Sequence, residues 1–123
     1  MLTYFWNKRR DMLIEAELLT LEAEKIRAES NKLFVESGKI YELSKELKGV
    51  ECDNLKSESD RVWDAANKLN IDSGQLYARA GTLTIEGAFL FNNAVNFYLG
   101  NDAMVRWDGD DALVGGVRFK WEK

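Results

Sequence analysis

The chain has 123 residues, of which 46% are hydrophobic and 31% charged, a mixture too apolar for a disordered tail and suited to helices with one wet side. Its 17 Lys and Arg residues are interspersed with 21 Asp and Glu residues, so the net charge is −4 and no basic nucleic-acid-binding surface is predicted. The single cysteine, Cys52, excludes an intrachain disulfide, and no apolar run reaches the roughly 18 residues that span a bilayer.

Residues 2–10 carry an aromatic cluster followed by basic residues. We interpret them as the first turns of a helix with Phe5 and Trp6 packed into an apolar seam; the alternative is a docking segment for another structural protein. Lys8, Arg9 and Arg10 are too few positive charges to hold a membrane, so membrane contact is not expected. A signal peptide has the reverse order, basic before apolar, and we therefore expect a protein of the cytoplasm or of a virus particle that no signal peptide secretes.

A heptad repeat of alternating large and small residues runs from residue 5 to residue 83 and predicts a coiled coil. The large residues, at the positions we label d, are Phe5, Met12, Leu19, Ile26, Leu33, Ile40, Leu47, Leu55, Val62, Leu69, Leu76 and Leu83, and the first eleven are the predicted oligomer seam. The small residues, at the positions we label a, are Ala16, Ala23, Ser30, Ser37, Ser44, Cys52, Ser59, Ala66, Ser73 and Ala80.

Position e of the repeat is often apolar as well, which widens the apolar stripe beyond the needs of a two-stranded coil. These e residues are Trp6, Leu13, Phe34, Tyr41, Trp63 and Tyr77. The wide stripe favours a trimer or a helical bundle over a dimer.

The repeat gains one extra residue near Gly49, and two structures explain it. A continuous helix can absorb a one-residue skip by unwinding the supercoil locally. Alternatively, Gly49 is the left-handed residue that ends one helix and Asp53 or Asn54 caps the next, which makes a helical hairpin. The small size of the interruption favours the continuous rod.

The helical pattern weakens after Gly81, which divides the chain into a coiled-coil rod, residues 1–81, and a β-rich cap, residues 82–123. Beyond Gly81, β-branched and aromatic residues and turn pairs such as Asp108-Gly109 predict a small antiparallel β-meander or hairpin. Residues 86–99 fit either strands or a short helix, and we favour strands. The aromatic residues expected to form a partner or cap surface are Phe89, Phe91, Phe97, Trp107 and Trp121.

Catalytic and metal-binding patterns are missing from the sequence. It has no histidine, no phosphate-binding loop and no dinucleotide fingerprint. Asp108, Asp110 and Asp111 surround Gly109 without the further oxygen ligands that a calcium loop needs, so we interpret them as a solvated turn. We predict no catalytic residue, no cofactor, no metal and no enzymatic activity.

Residues 103–109, Ala-Met-Val-Arg-Trp-Asp-Gly, with the apolar strand that follows them to residue 114, resemble the hairpin of the foldon, the trimerisation domain of phage fibritin. The resemblance implies a β-rich cap that holds three helices in register.

These observations together predict a mainly α-helical, non-enzymatic homo-oligomer, expected to be a trimer, that serves as a fibre or stalk and as a structural or assembly component of a virion. The alternative is an intracellular helical-hairpin adaptor or inhibitor that binds a protein partner through its apolar stripe.

Overall fold

The computed structural model describes residues 1–122 and contains two long helices followed by a small sheet. The elements are α1 (Leu2–Ser44), α2 (Val50–Leu99), β1 (Arg106–Asp108), β2 (Asp111–Val114) and β3 (Val117–Phe119). The sheet is antiparallel with strand order β1-β2-β3. The prediction of a mainly α-helical chain with a C-terminal β-meander is confirmed.

The chain reverses between α1 and α2, so the favoured continuous rod is wrong and the helical hairpin is correct. Helix α1 is followed by backbone hydrogen bonds between residues three apart, the tighter pattern of a 3₁₀ turn, among them one from the Leu47 amide to the Ser44 carbonyl. Gly49 then adopts a φ of 71°, which a residue without a Cβ reaches at little cost, as the hairpin interpretation predicted. α2 starts at Val50, and the Asp53 amide already donates to the Gly49 carbonyl; the predicted cap at Asp53 or Asn54 is therefore wrong.

The chain forms two compact units, each containing a segment of both helices. The turn unit is Thr20–Tyr77 and includes the reversal at Gly49. The sheet unit combines Met1–Leu19 with the chain from Ala78 onward and includes the three strands.

In the turn unit, the small residues at position a form the interface between the two helices. Ser30 donates its hydroxyl to the Ala66 carbonyl at 2.7 Å, and Ser73 donates to the Ala23 carbonyl at 2.9 Å. All four residues are fully buried. A serine hydroxyl reaches the backbone of a neighbouring helix only when the two backbones lie close together, and small residues permit that approach.

Ser37 and Ser59 make the same contact in both directions. The Ser37 hydroxyl donates to the Ser59 carbonyl at 2.8 Å, and the Ser59 hydroxyl donates to the Ser37 carbonyl at 2.9 Å. Both side chains are buried, and the reciprocal bonds satisfy both hydroxyls. An unpaired buried hydroxyl costs about 1–3 kcal/mol, so this pairing removes a penalty that polar residues in an apolar interface would otherwise carry.

In the sheet unit, the core lies between one face of the sheet and the two helices. Ala112 and Val114 on β2 are buried against Trp6 of α1 and against Phe91 and Val95 of α2. The Trp6 ring lies 5.0 Å from the Phe91 ring, and its indole N–H donates to the Lys120 carbonyl at 2.9 Å.

Helix α2 continues through Gly81 to Leu99, so the strand interpretation of residues 86–99 is wrong. The heptad repeat also continues, with Gly87 and Ala94 buried at position a. Two of the aromatic and β-branched residues of this stretch, Phe91 and Val95, lie one turn apart and pack on the sheet. Their residue types reflect that packing and not a strand backbone.

Position a also carries a buried charged residue, Arg9, which lies against a glycine. Arg9 is 5% exposed, and a Cβ added at Gly87 would lie 3.2 Å from the Arg9 Cγ. Gly87 therefore leaves the space that the arginine stem occupies.

We expect Ser37→Leu to destabilise the protein by about 3 kcal/mol, because a larger side chain overpacks the helix interface and the reciprocal serine bonds are lost. The matched control is Ser57→Leu, since Ser57 is exposed on α2 and should tolerate leucine within about 0.5 kcal/mol. Urea unfolding followed by circular dichroism measures both. Equal stabilities of the two variants would contradict the assignment of Ser37 to the interface.

We expect Gly81→Ala to stabilise the protein by about 0.5–1 kcal/mol, because the position is an exposed helix interior and nothing lies within 4 Å of the added methyl group. Gly87→Ala should gain none of this stability, because its methyl group meets the Arg9 stem. Thermal melts of the two variants check the difference. An equal rise in melting temperature would show that Arg9 moves aside freely.

Candidate interaction surface

The close contact at position a determines where the large residues of the repeat lie. The two helices are antiparallel, and the residues at position a of one helix face those at position a of the other. A twofold axis perpendicular to the plane of the two helices relates them. The d positions of both helices therefore lie on one face of the hairpin and the e positions on the opposite face. The ring contacts follow this rule. Phe34 and Trp63, both at e, lie 5.8 Å apart between ring centroids in the turn unit.

The d residues of the turn unit form a single apolar surface, which we call the ladder face. Its members are Ile26, Leu33, Ile40, Leu47, Leu55, Val62, Leu69 and Leu76. Leu47 is exposed, and the others are half-buried, whereas most of the a residues between the helices are fully buried. The hairpin thus uses its small residues internally and leaves part of every large d residue in solvent.

Acidic residues border the ladder face on both sides. Position g lies next to d on the outer side and carries Glu22, Glu29 and Glu36 on α1. On α2 the same position carries Glu58 and Asp72. Glu58 forms an exposed ion pair with Arg61 at 3.1 Å, one turn away on the same helix. The ladder face is therefore an apolar strip bordered by an acidic g row on α1, and on α2 by a g row in which Ala65 interrupts the acidic residues.

The sheet unit displays a second apolar surface, which we call the aromatic patch and which consists of Tyr4, Phe5, Phe97 and Tyr98. Their rings form a chain of contacts, with centroid distances of 5.2 Å for Tyr4–Phe5, 6.3 Å for Phe5–Tyr98 and 5.0 Å for Phe97–Tyr98. Phe97 is 80% exposed and Tyr4 63%. Residues 87–101 include no charged side chain, so the patch and its surroundings on α2 are electrically neutral.

The five aromatic residues predicted as a partner or cap surface lie in different environments. Phe89 and Phe97 are exposed on α2, whereas Phe91 is fully buried in the core of the sheet unit. Trp107 is 37% exposed and stacks on Trp6 at 6.2 Å, and Trp121 is half-buried. Of the five, the structure brings only Phe97 into the aromatic patch.

Arg9 lies among three tryptophan rings and joins the helices to the sheet. Its guanidinium carbon is 4.8 Å from the Trp6 ring, 4.5 Å from Trp107 and 6.0 Å from Trp121. One guanidinium nitrogen donates to the Asp110 carbonyl at 3.0 Å, while the buried Nε has no hydrogen-bond partner among residues 1–122. Burial lowers the pKa of Arg9, and the negative charge of Asp110 opposes that shift.

Sequence reasoning missed this cluster, although one signal was present. Arg9 stands one heptad before Ala16, at a position where every later residue of α1 is small. A charge at such a position is buried only with dedicated partners, and cation–π contacts of about 0.5–2 kcal/mol each are such partners for an arginine. Trp6 and Arg9 contact the sheet and Tyr4 belongs to the aromatic patch, whereas Phe5 belongs to the patch and also packs against the core of the sheet unit.

Two of the three aspartates around Gly109 pair with an arginine of β3. Arg118 contacts Asp111 at 2.8 Å and Asp108 at 3.0 Å. The second Asp111 oxygen accepts the Trp121 amide at 2.6 Å. That amide and then Arg118 lower the pKa of Asp111. Within residues 1–122, no group of three or more His, Cys, Asp or Glu side chains is arranged to hold a metal ion.

Asp111→Asn should weaken the acid dependence of stability. Because the pKa of folded Asp111 lies below its ordinary value, its contribution is complete above about pH 4 and is lost as the pH falls further towards the folded pKa. Melting temperatures of the wild type and the variant should therefore converge at the acid end. Asp102→Asn, at an exposed position of the same unit, is the control, and an identical pH profile for both variants would contradict the role of Asp111.

No helix of residues 1–122 is long and apolar enough to cross a membrane. No protein-family model, curated protein or solved structure matches the chain. The functional inference therefore depends on the two surfaces described above, the ladder face and the aromatic patch.

Proposed function

We propose that the chain is a non-enzymatic structural or assembly protein that forms homo-oligomers through the aromatic patch. The observation that carries this proposal is the exposure of Phe97, 80% in solvent at the end of a ring-to-ring aromatic chain. Exposed apolar surfaces of this kind mark sites of protein association.

The aromatic patch is well suited to self-association for two reasons. Its rings already pack on one another, so they lose little conformational freedom when a second surface covers them. Residues 87–101 carry no charge, so the part of this surface on α2 adds no electrostatic repulsion between two copies. Burial of one phenylalanine side chain contributes about 1.5–3 kcal/mol, which makes Phe97 a strong candidate for an energetic centre of the interface.

The proposed setting is a virus particle or its assembly, with a trimer as the expected stoichiometry. The resemblance of residues 103–114 to the foldon hairpin supports this setting, because β1 and β2 lie in the same unit as the aromatic patch. The wide apolar stripe of the heptad repeat supports association of more than two helices.

A second candidate function is the binding of a different protein through the ladder face, as an adaptor or inhibitor would. The specific observation in its favour is the acidic border on both sides of that face. A surface bordered by one sign of charge favours a partner of the opposite sign over a copy of itself.

We expect Phe97→Ala to weaken self-association by about tenfold or more, the effect typical of an aromatic residue central to an interface. Ile85→Ala is the matched control, because Ile85 is an exposed apolar residue, 58% accessible, at position f of the same helix and outside the patch. Sedimentation equilibrium over a range of protein concentrations measures the association constant and the stoichiometry. A wild-type chain that stays monomeric at every concentration would overturn the proposed homo-oligomer.

A further inference from the structure

The ladder face has the residue spacing and the border charges of a binding site for a helix. Two rows of apolar residues, one from each helix of the turn unit, lie on the same face beside the small a residues that are buried between the helices. Each row repeats every seven residues, which is the spacing at which an amphipathic helix presents its own apolar side chains. An added helix can therefore contact both rows along its length.

The border charges decide which helix fits. Glu22, Glu29 and Glu36 recur along one edge, and Glu58 and Asp72 lie along the other. A second copy docked through the same face would bring acidic edges against acidic edges, an arrangement that interfaces avoid. A basic row at position c lies one turn from the acidic row and further round each helix from the ladder face; it consists of Lys25, Lys32 and Lys39 on α1 and of Arg61 and Lys68 on α2. Arg61 is paired with Glu58 of its own helix. The carboxylates at position g are therefore the charges nearest the d residues.

We propose that the ladder face of the turn unit binds an amphipathic helix of another protein, one whose apolar stripe is flanked by Lys or Arg residues. The basic side chains would extend their aliphatic stems over the edges of the d residues and place their charges beside the bordering carboxylates. This inference rests on the second candidate function, partner binding, and is independent of the aromatic patch.

The opposite face of the turn unit provides the contrast. There the e positions carry the paired rings of Phe34 and Trp63 together with Arg27, whose guanidinium lies 5.6 Å from the Tyr77 ring. Aromatic, basic and polar side chains are mixed at the e positions of residues 20–77, so that face carries no continuous aliphatic row. The ladder face alone combines an aliphatic strip with acidic edges.

The test uses two designed helical peptides with the same leucine stripe, one flanked by Lys and the other by Glu. Fluorescence anisotropy with the full-length chain measures the affinity of each peptide at low and at physiological salt. We expect the Lys-flanked peptide to bind at least about tenfold more tightly than the Glu-flanked one, and its affinity to fall as salt screens the edge charges. Equal affinities would overturn the assignment of a basic-flanked helix.

Charge-neutralising variants locate the binding site. The triple variant Glu22→Gln, Glu29→Gln, Glu36→Gln removes one acidic edge and should lower the affinity for the Lys-flanked peptide by about tenfold. The matched control, Glu24→Gln, Asp60→Asn, Asp64→Asn, removes the same number of exposed negative charges from other surfaces of the turn unit and should leave the affinity within about twofold. Equal losses in the two variants would show general attraction to an acidic protein and overturn the site.

Two further measurements separate this inference from the proposed functions. Leu33→Asp should lower the affinity of the chain for both peptides, because it puts a charge in the apolar strip. Phe97→Ala should change neither affinity. If Leu33→Asp abolishes self-association instead, the ladder face is an interface between copies of this chain and the proposed partner is wrong. If neither peptide binds the wild type, binding of a helical partner by this face is overturned. The homo-oligomer through the aromatic patch is tested separately, by sedimentation equilibrium.

Discussion

The close approach of α1 and α2 at position a is the interaction on which the rest of the structure depends. Small residues, mainly serine and alanine, occupy most of this position, and four serine hydroxyls donate directly to carbonyls of the facing helix, those of Ser30, Ser37, Ser59 and Ser73. Large residues there would hold the helices apart and break these bonds. Because the small residues fill the interface, the large d residues are displaced to one face of the hairpin, where a single chain buries them only in part.

The sheet unit keeps the same helix pairing but accommodates a buried cation. Gly87 has no side chain, which leaves room for the stem of Arg9, and the rings of Trp6 and Trp107 lie against the guanidinium. The sheet packs on the face that carries Trp6 and Phe91, both at position e. Phe5 and Phe97, at position d of the same unit, belong to the aromatic patch.

The two surfaces differ most in their charge. Uncharged residues surround the aromatic patch on α2, and such a surface associates with any complementary apolar surface, including a copy of itself. The ladder face has carboxylates along both edges, and these carboxylates select against a like-charged partner. The proposed self-association and the proposed recognition of a basic partner therefore depend on different surfaces of the chain.

The sequence by itself determined the helices, the alternation of large and small residues along them and the C-terminal meander. Heptad spacing and turn residues are local signals, and Gly109 indeed has the positive φ, 61°, that the Asp108-Gly109 turn requires. The ladder residues could be chosen from periodicity alone, because helical geometry places every seventh residue on one face. The continuation of position a through Gly87 and Ala94 was also present in the sequence and would have extended α2 to its true end.

Only the tertiary structure decided what packs against what. A heptad repeat is satisfied equally by a second chain or by the second half of the same chain, so the pattern could not distinguish a rod from a hairpin. Phe91 and Val95 resembled strand residues because aromatic and β-branched side chains are favoured where they pack within a sheet. Here the same residue types belong to a helix that packs on the sheet. The Arg9 cluster unites residues separated by 101 positions, as its bond to Asp110 shows, and no local pattern encodes a contact of that range.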